Sequence, residues 1–298
     1  MIKIRPRRNR LGLIAICALV TSLLSLTTSV RSTGRTPDKM KAEEVVAKHL
    51  DSIGTAAARS GAHSRIAVGT ARATFKARGG SGTLNGRAVL GSVNQKALLA
   101  IAFNAPNYPG EKFGFDGKKF AVAYVTPGVR STLGNFLLSH SSVFKDGLMG
   151  GTLSSAWALL NLEDRKAKIE YGGTEKIGDK LVHKLRYSPN KGADLDISLY
   201  FDAETFQHVR TQYERVVGAR IAGGGIDNQA SQQETRYKMI ENFSDYKQEG
   251  ELTLPHSYTL QLEITKTTGS SMDKWEMNLS DFTFNQAIDE KSLDVEAN

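Results

Sequence analysis

The sequence predicts a mainly β chain of α+β type, about eleven antiparallel strands in two blocks separated by short helices. Three observations predict it. The stretch 176–215, KIGDKLVHKLRYSPNKGADLDISLYFDAETFQHVRTQYER, reads as three consecutive strands. Leu181, His183, Leu185 and Tyr187 share one parity, as do Leu195, Ile197, Leu199 and Phe201, so one face is oily and the other wet. The segment FGFDGKKFAVAYV at 113–125 is a hairpin with Asp116-Gly117 at its tip. Between 126 and 161 the period of two gives way to helical spacing.

The chain opens with Lys3, Arg5, Arg7, Arg8 and Arg10, then an apolar run over 11–26, then Thr27-Thr28-Ser29. This is the pattern of a secretory signal peptide, expected over 1–32 with cleavage near 29–32. The alternative is an uncleaved inner-membrane anchor, but the run is shorter than the ~20 residues of a spanning helix, and Thr21-Ser22 interrupt it. Residues 1–32 hold six Lys/Arg and no acid, so the remainder carries 33 basic and 31 acidic residues, a net charge of +2. The basic character thus resides largely in the leader and gives no warrant for nucleic-acid binding. Cys17, the single cysteine, follows Ile16 inside the apolar run, which argues against lipidation. A mature chain without disulfides must be held by its core, and about 265 residues suffice for one large domain, 33–298.

Thr36-Pro37 has the form of a helix start. Ala42, Val45, Val46, His49, Leu50 and Ile53 form one amphipathic stripe that Gly54 ends. His49 on that stripe reads as a core-edge histidine. Strands are expected from Ile66 to Phe75, at 83–90 and at 95–103, with a break at Arg78-Gly79-Gly80-Ser81-Gly82. The 126–161 insertion is oily, with Leu133, Phe136 and Leu137 on one helical face and Leu153, Trp157 and Leu160 on another. Gly147, Gly150 and Gly151 supply soft joints. It reads as two or three short helices, either a plug or a movable lid. Strands resume after Lys168 and continue near 234–246, 254–265 and 274–285. The loop 223–228 is a flexible connection, and a parity flip between Leu279 and Phe282 marks a bulge.

Catalytic motifs do not emerge. His49, His63, His140, His183, His208 and His256 stand in no ligand spacing, and no second cysteine is present for a zinc site. No cofactor is implied. GGSGT at 79–83 departs from GxSxG at Thr83 and opens no helix. His140 beside Ser141 and Ser142 fits a hydroxyl-rich helix end better than half a triad. Asp194 and Asp196 read as solvated outer-face carboxylates.

Three phrases carry a resemblance over the whole mature chain: VHKLRYSPNKGADLDISLYFDAETFQHVRTQYE (182–214), ENFSDYKQEGELTLPHSYTLQLEI (241–264) and FTFNQAIDEKSLD (282–294). They resemble the LolA/LolB-like superfamily of periplasmic lipoprotein carriers, in its outer-membrane lipoprotein-sorting branch. The resemblance implies an incomplete antiparallel β-barrel closed by an N-terminal helix and lid helices, binding acyl chains inside. It implies a non-enzymatic periplasmic carrier of a hydrophobic ligand (acyl chain, lipid or lipoprotein) with a possible membrane-protein partner. The alternatives are a sensor built on the same half-barrel and, more distantly, an exported hydrolase. The expected cavity lining is Phe136, Leu137, Phe144, Leu148, Met149 and Trp157 from the lid with Phe103, Phe120 and Tyr124 from the sheet.

Overall fold

A computed structural model of the chain describes residues 40–77, 80–192, 194–218, 234–288 and 295. Residues 1–32, Thr36-Pro37, Arg78-Gly79, the 223–228 loop and the closing DEKSLD (289–294) lie outside the described residues. Twelve strands form one antiparallel sheet, β5-β4-β3-β2-β1-β12-β11-β10-β9-β8-β7-β6, which does not close into a barrel. This is the incomplete barrel that the resemblance implies, with one strand more than the expected eleven. Edge strand β6 (Lys168–Ile177) carries a register shift between Tyr171 and Gly173.

The order has a direct physical reading. Strands β1 (Ser64–Ala77), β2 (Gly80–Val93), β3 (Lys96–Phe103), β4 (Gly110–Phe115) and β5 (Phe120–Val122) meander outward to one edge. Strands β6, β7 (Lys180–Ser188), β8 (Asp196–Asp202), β9 (His208–Val217), β10 (Thr235–Glu249), β11 (Leu252–Lys266) and β12 (Gly269–Phe284) meander back to pair with β1. The link between β5 and β6 must therefore run from one edge of the sheet to the other. It crosses the apolar face.

That link contains α3 (Thr132–Ser139), α4 (Ser142–Lys145), 3-10 turns at Gly151–Leu153 and Ala158–Asn161, and α5 (Leu162–Arg165). Residues 147–159 are buried without exception. Helix α1 (Ala42–Ile53) buries Ala42, Val45, Val46, His49 and Ile53, as its stripe predicts. It starts later than Thr36-Pro37 suggests: Lys41 is the extended N-cap residue and makes no side-chain cap. Glu43 and Glu44 in the first turn instead complement the helix dipole. The short α2 (Ala56–Gly61) is capped by Thr55.

Local sequence signals reappear as geometry. The Asp116 carboxylate accepts the backbone N–H groups of Lys118 and Lys119 at 2.7 and 2.6 Å in the β4–β5 turn. Asp202 does the same for Glu204 and Thr205 between β8 and β9, at 3.0 Å each. The bulge expected near Leu279 is present: Gly69 pairs with Leu279 and Val68 with Asp281, leaving Ser280 extra.

Candidate functional site: the covered face and its ties

The face beneath the link is apolar, with a few polar groups that tie link to sheet. On β10, Met239, Glu241 and Phe243 share the inward parity, and Glu241 is completely buried. Its carboxylate accepts three hydrogen bonds. Tyr213 Oη donates to Oε2 at 2.7 Å, Tyr258 Oη to Oε1 at 2.7 Å, and the Gly150 backbone N–H to Oε1 at 2.8 Å. Burial pushes Glu241 up to about 7, with the three donors opposing that rise. The same burial, plus the adjacent carboxylate, drives both tyrosines well above their ordinary range.

A second buried acid holds the start of the link. Glu111 on β4 accepts Tyr108 Oη at 2.8 Å and is also hydrogen-bonded by Ser131, whose hydroxyl caps α3 by accepting Gly134 N–H at 2.8 Å. Burial raises Glu111 to about 7 as well. Tyr108 in turn accepts Trp275 Nε1–H at 2.9 Å.

A buried cation is the third tie. Arg65 on β1 donates from Nη1 to the Thr152 carbonyl at 2.6 Å, with the Ser154 carbonyl 3.5 Å away. Its Nε and Nη2 have no hydrogen-bond partner, and no ion pair includes it among the described residues. Desolvation brings this guanidinium down to about 10. Nearby, Ser155 N–H donates to Ser92 Oγ at 2.8 Å, and Arg165 Nη2 donates to the Ala156 carbonyl at 2.8 Å.

The histidines here are structural. His49 Nδ1 lies 3.0 Å from the Phe206 carbonyl, and Nε2 accepts Trp157 Nε1–H at 3.0 Å, which fixes a neutral Nδ1–H tautomer. Burial lowers His49 to about 4. His208 stacks on Trp157 at 4.8 Å and is held neutral by desolvation, with Nε2 3.0 Å from the Arg210 carbonyl. His140 caps α3 with its backbone N–H and packs its ring on Phe136 at 4.7 Å. Among the described residues no group of three or more His, Cys, Asp or Glu is placed to hold a metal.

Eight of the nine expected lining residues are buried: Phe103, Phe120, Phe136, Leu137, Phe144, Leu148, Met149 and Trp157. The ninth, Tyr124, is 53% exposed, because β5 ends at Val122 and the alternation that points Phe120 inward is lost. The lining is packed shut. The space between β2, β3, Phe144, Met149 and Leu153 is about 10 Å³, at the limit of a single water. Arg65, Glu111 and Glu241 were not singled out from sequence, although each shares the inward parity of a buried apolar neighbour two residues on or back, Ala67, Phe113 and Met239.

No family model matches the chain, and no curated protein matches it. Solved structures do. A domain assigned to outer membrane lipoprotein sorting from Vibrio parahaemolyticus is 15% identical, with 86% of this chain and 98% of that one covered and a TM-score of 0.38. Mycobacterium tuberculosis lipoprotein LppX is 12% identical, with coverage of 83% and 98% and a TM-score of 0.24. MucB in the Pseudomonas aeruginosa MucA/MucB complex is a third type of match: that structure is 9% identical, covers 81% and 99%, and scores 0.22.

Proposed function

We propose that this protein is an exported, non-enzymatic carrier for a hydrophobic ligand, an acyl chain or lipid, which enters where the 126–161 link now lies. One observation supports this reading above the others. The link covers an open apolar sheet face with side chains that an acyl chain can replace, and a handful of polar contacts tie it down. Phe136, Leu137, Phe144, Leu148 and Met149 supply aromatic and aliphatic surface with no β-branched residue among them, and the unbranched Met149 adapts to varied shapes. Displacing the link exposes that surface together with the facing sheet, and a ligand burying both recovers about 25 cal/mol per Å². In this reading the structure is the closed, empty state, and Arg65, Glu111 and Glu241 are the fastenings.

The experiment is recovery of ligand from natively purified protein by organic extraction and mass spectrometry, beside uptake of a fluorescent fatty acid. Lipid at near-stoichiometric level, with uptake lowered at least tenfold by Leu148→Glu, is the expected outcome. Protein that is empty when isolated and takes up no probe would refute the carrier.

A further inference from the structure

We propose that the outer face of β1–β5, opposite the covered face, docks on an anionic phospholipid bilayer. This surface is separate from the carrier site and does not depend on what that site holds. Residues 64–130 contain ten Lys/Arg and only two acids, Glu111 and Asp116. Glu111 is buried, and Asp116 is engaged in capping its own hairpin turn. On the outward parity of these strands, Arg87 of β2 and Lys112 of β4 enter no ion pair among the described residues. On the later strands several lysines and arginines do meet acids: Lys184–Glu175, Arg215–Asp194, Lys238–Glu214 and Lys274–Glu276.

The basic surface also has an apolar floor. A shallow groove of about 460 Å³ runs over Val89, Ala100, Ala102 and Ala123, with Arg87, Lys112, Tyr124 and the largely buried Glu111 among its lining. Tyr124, which stands outside the packed core, lines this groove, and the Arg130 guanidinium lies 4.2 Å from its ring centroid. Val129, 56% exposed, closes the adjoining loop by bridging Thr126. A soluble polyanion would satisfy the rim and leave the floor wet. A neutral apolar partner would cover the floor and strand the cations. An anionic bilayer meets both: headgroup charge for Arg87 and Lys112, and an interfacial layer that suits the amphipathic ring of Tyr124. Each cation near such a surface is worth roughly fivefold in partitioning.

The test is flotation of the full chain with vesicles of phosphatidylcholine alone or with one part in three phosphatidylglycerol. Residues 1–32 add six cations of their own, so the readout is the difference between variants that share them. Arg87→Glu with Lys112→Glu should weaken binding to the anionic vesicles at least tenfold. Lys184→Glu with Lys238→Glu, on the other half of the sheet, should change it less than twofold. Independently, Tyr124→Trp should be quenched by brominated lipid, because Trp157 and Trp275 are buried. Equal loss in the two double variants, unquenched Trp at position 124 in bound protein, or no vesicle binding would overturn the proposal. Equal competition by soluble short-chain phosphatidylglycerol would also overturn it, by showing a single-headgroup site.

Discussion

The backbone N–H of Gly150 points 2.8 Å from Oε1 of Glu241, so a carboxylate in the middle of the sheet holds the middle of the link. Among the described residues no ion pair includes the acid; two tyrosine hydroxyls complete its shell. Its proton affinity is consequently coupled to closure.

Glu241 rises from an ordinary 4.5 to about 7 on folding. The native state then holds a proton that the unfolded chain has released between these values. Its stabilising effect is full below about 4.5 and is lost as pH rises through about 7. Glu111 shifts in the same sense, while buried His49 and His208 oppose it by favouring higher pH. Comparison with Glu241→Gln isolates the acid. Between pH 5 and 8 the wild type should lose about 2 kcal/mol more stability than the variant. Urea midpoints across that range check it, and parallel pH profiles would contradict it.

Two link glycines separate conformational strain from close approach. Gly150 and Gly151 both have left-handed backbones, φ 77° and 50°. A Cβ at Gly150 would meet only the end of Leu90, at 3.3 Å. At Gly151 it would lie 2.7 Å from His208 Nδ1 and 3.0 Å from Phe243 Cζ. Gly150→Ala should therefore cost about 1–2 kcal/mol, from the left-handed backbone alone. Gly151→Ala should cost clearly more, because rings on two strands must shift. Thermal unfolding of the pair would reveal the order.

What was legible in sequence follows from how local each signal is. The α1 stripe depends on neighbours in the chain and appears as read, and in β8 Ile197, Leu199 and Phe201 are buried as expected, but Tyr200, on the parity expected to be wet, is buried as well. The pairing of β1 with β12 joins residues about 200 positions apart, and no periodicity reports it. Arg65, Glu111 and Glu241 did leave a trace, a charge at the parity of Ala67, Phe113 and Met239. Tyr124 misleads for the converse reason: its parity continues past the residue where the strand stops. The link glycines, read as joints, are also points where backbone meets backbone, since a Cβ at Gly147 would lie 1.8 Å from the Ala156 carbonyl oxygen.

Arg65 makes the clearest test of fastening against packing. Its guanidinium is buried without a carboxylate, so the charge itself costs stability, while its bond to Thr152 holds the link. Arg65→Met retains much of the volume and removes both effects. The unfolding midpoint should change little, with net effects within about 1 kcal/mol. Hydrogen exchange at Gly151–Leu153 should nevertheless accelerate at least tenfold relative to the strands. Uniform acceleration across link and sheet would show that Arg65 supports the whole core rather than the closure.

The last prediction distinguishes a lid from a permanent plug. Phe144 and Leu148 in the link and Leu199 in β8 are all buried, so a charge placed at any of them must be desolvated or must reach water. At Leu199 the only escape is to break the sheet, because β8 is paired on both sides. In the link, the charged side chain can reach water by lifting the segment while all twelve strands remain paired. Phe144→Asp and Leu148→Glu should thus cost the price of opening, less than Leu199→Asp, and should leave the sheet's β circular dichroism intact. They should also expose apolar surface that binds a reporter dye and should lower fatty-acid affinity at least tenfold, since a charge now stands where the chain would lie. Chemical denaturation and probe titration on the three variants measure both quantities. Link variants that unfold as readily as Leu199→Asp, with unchanged probe affinity in the folded fraction, would establish the segment as a plug.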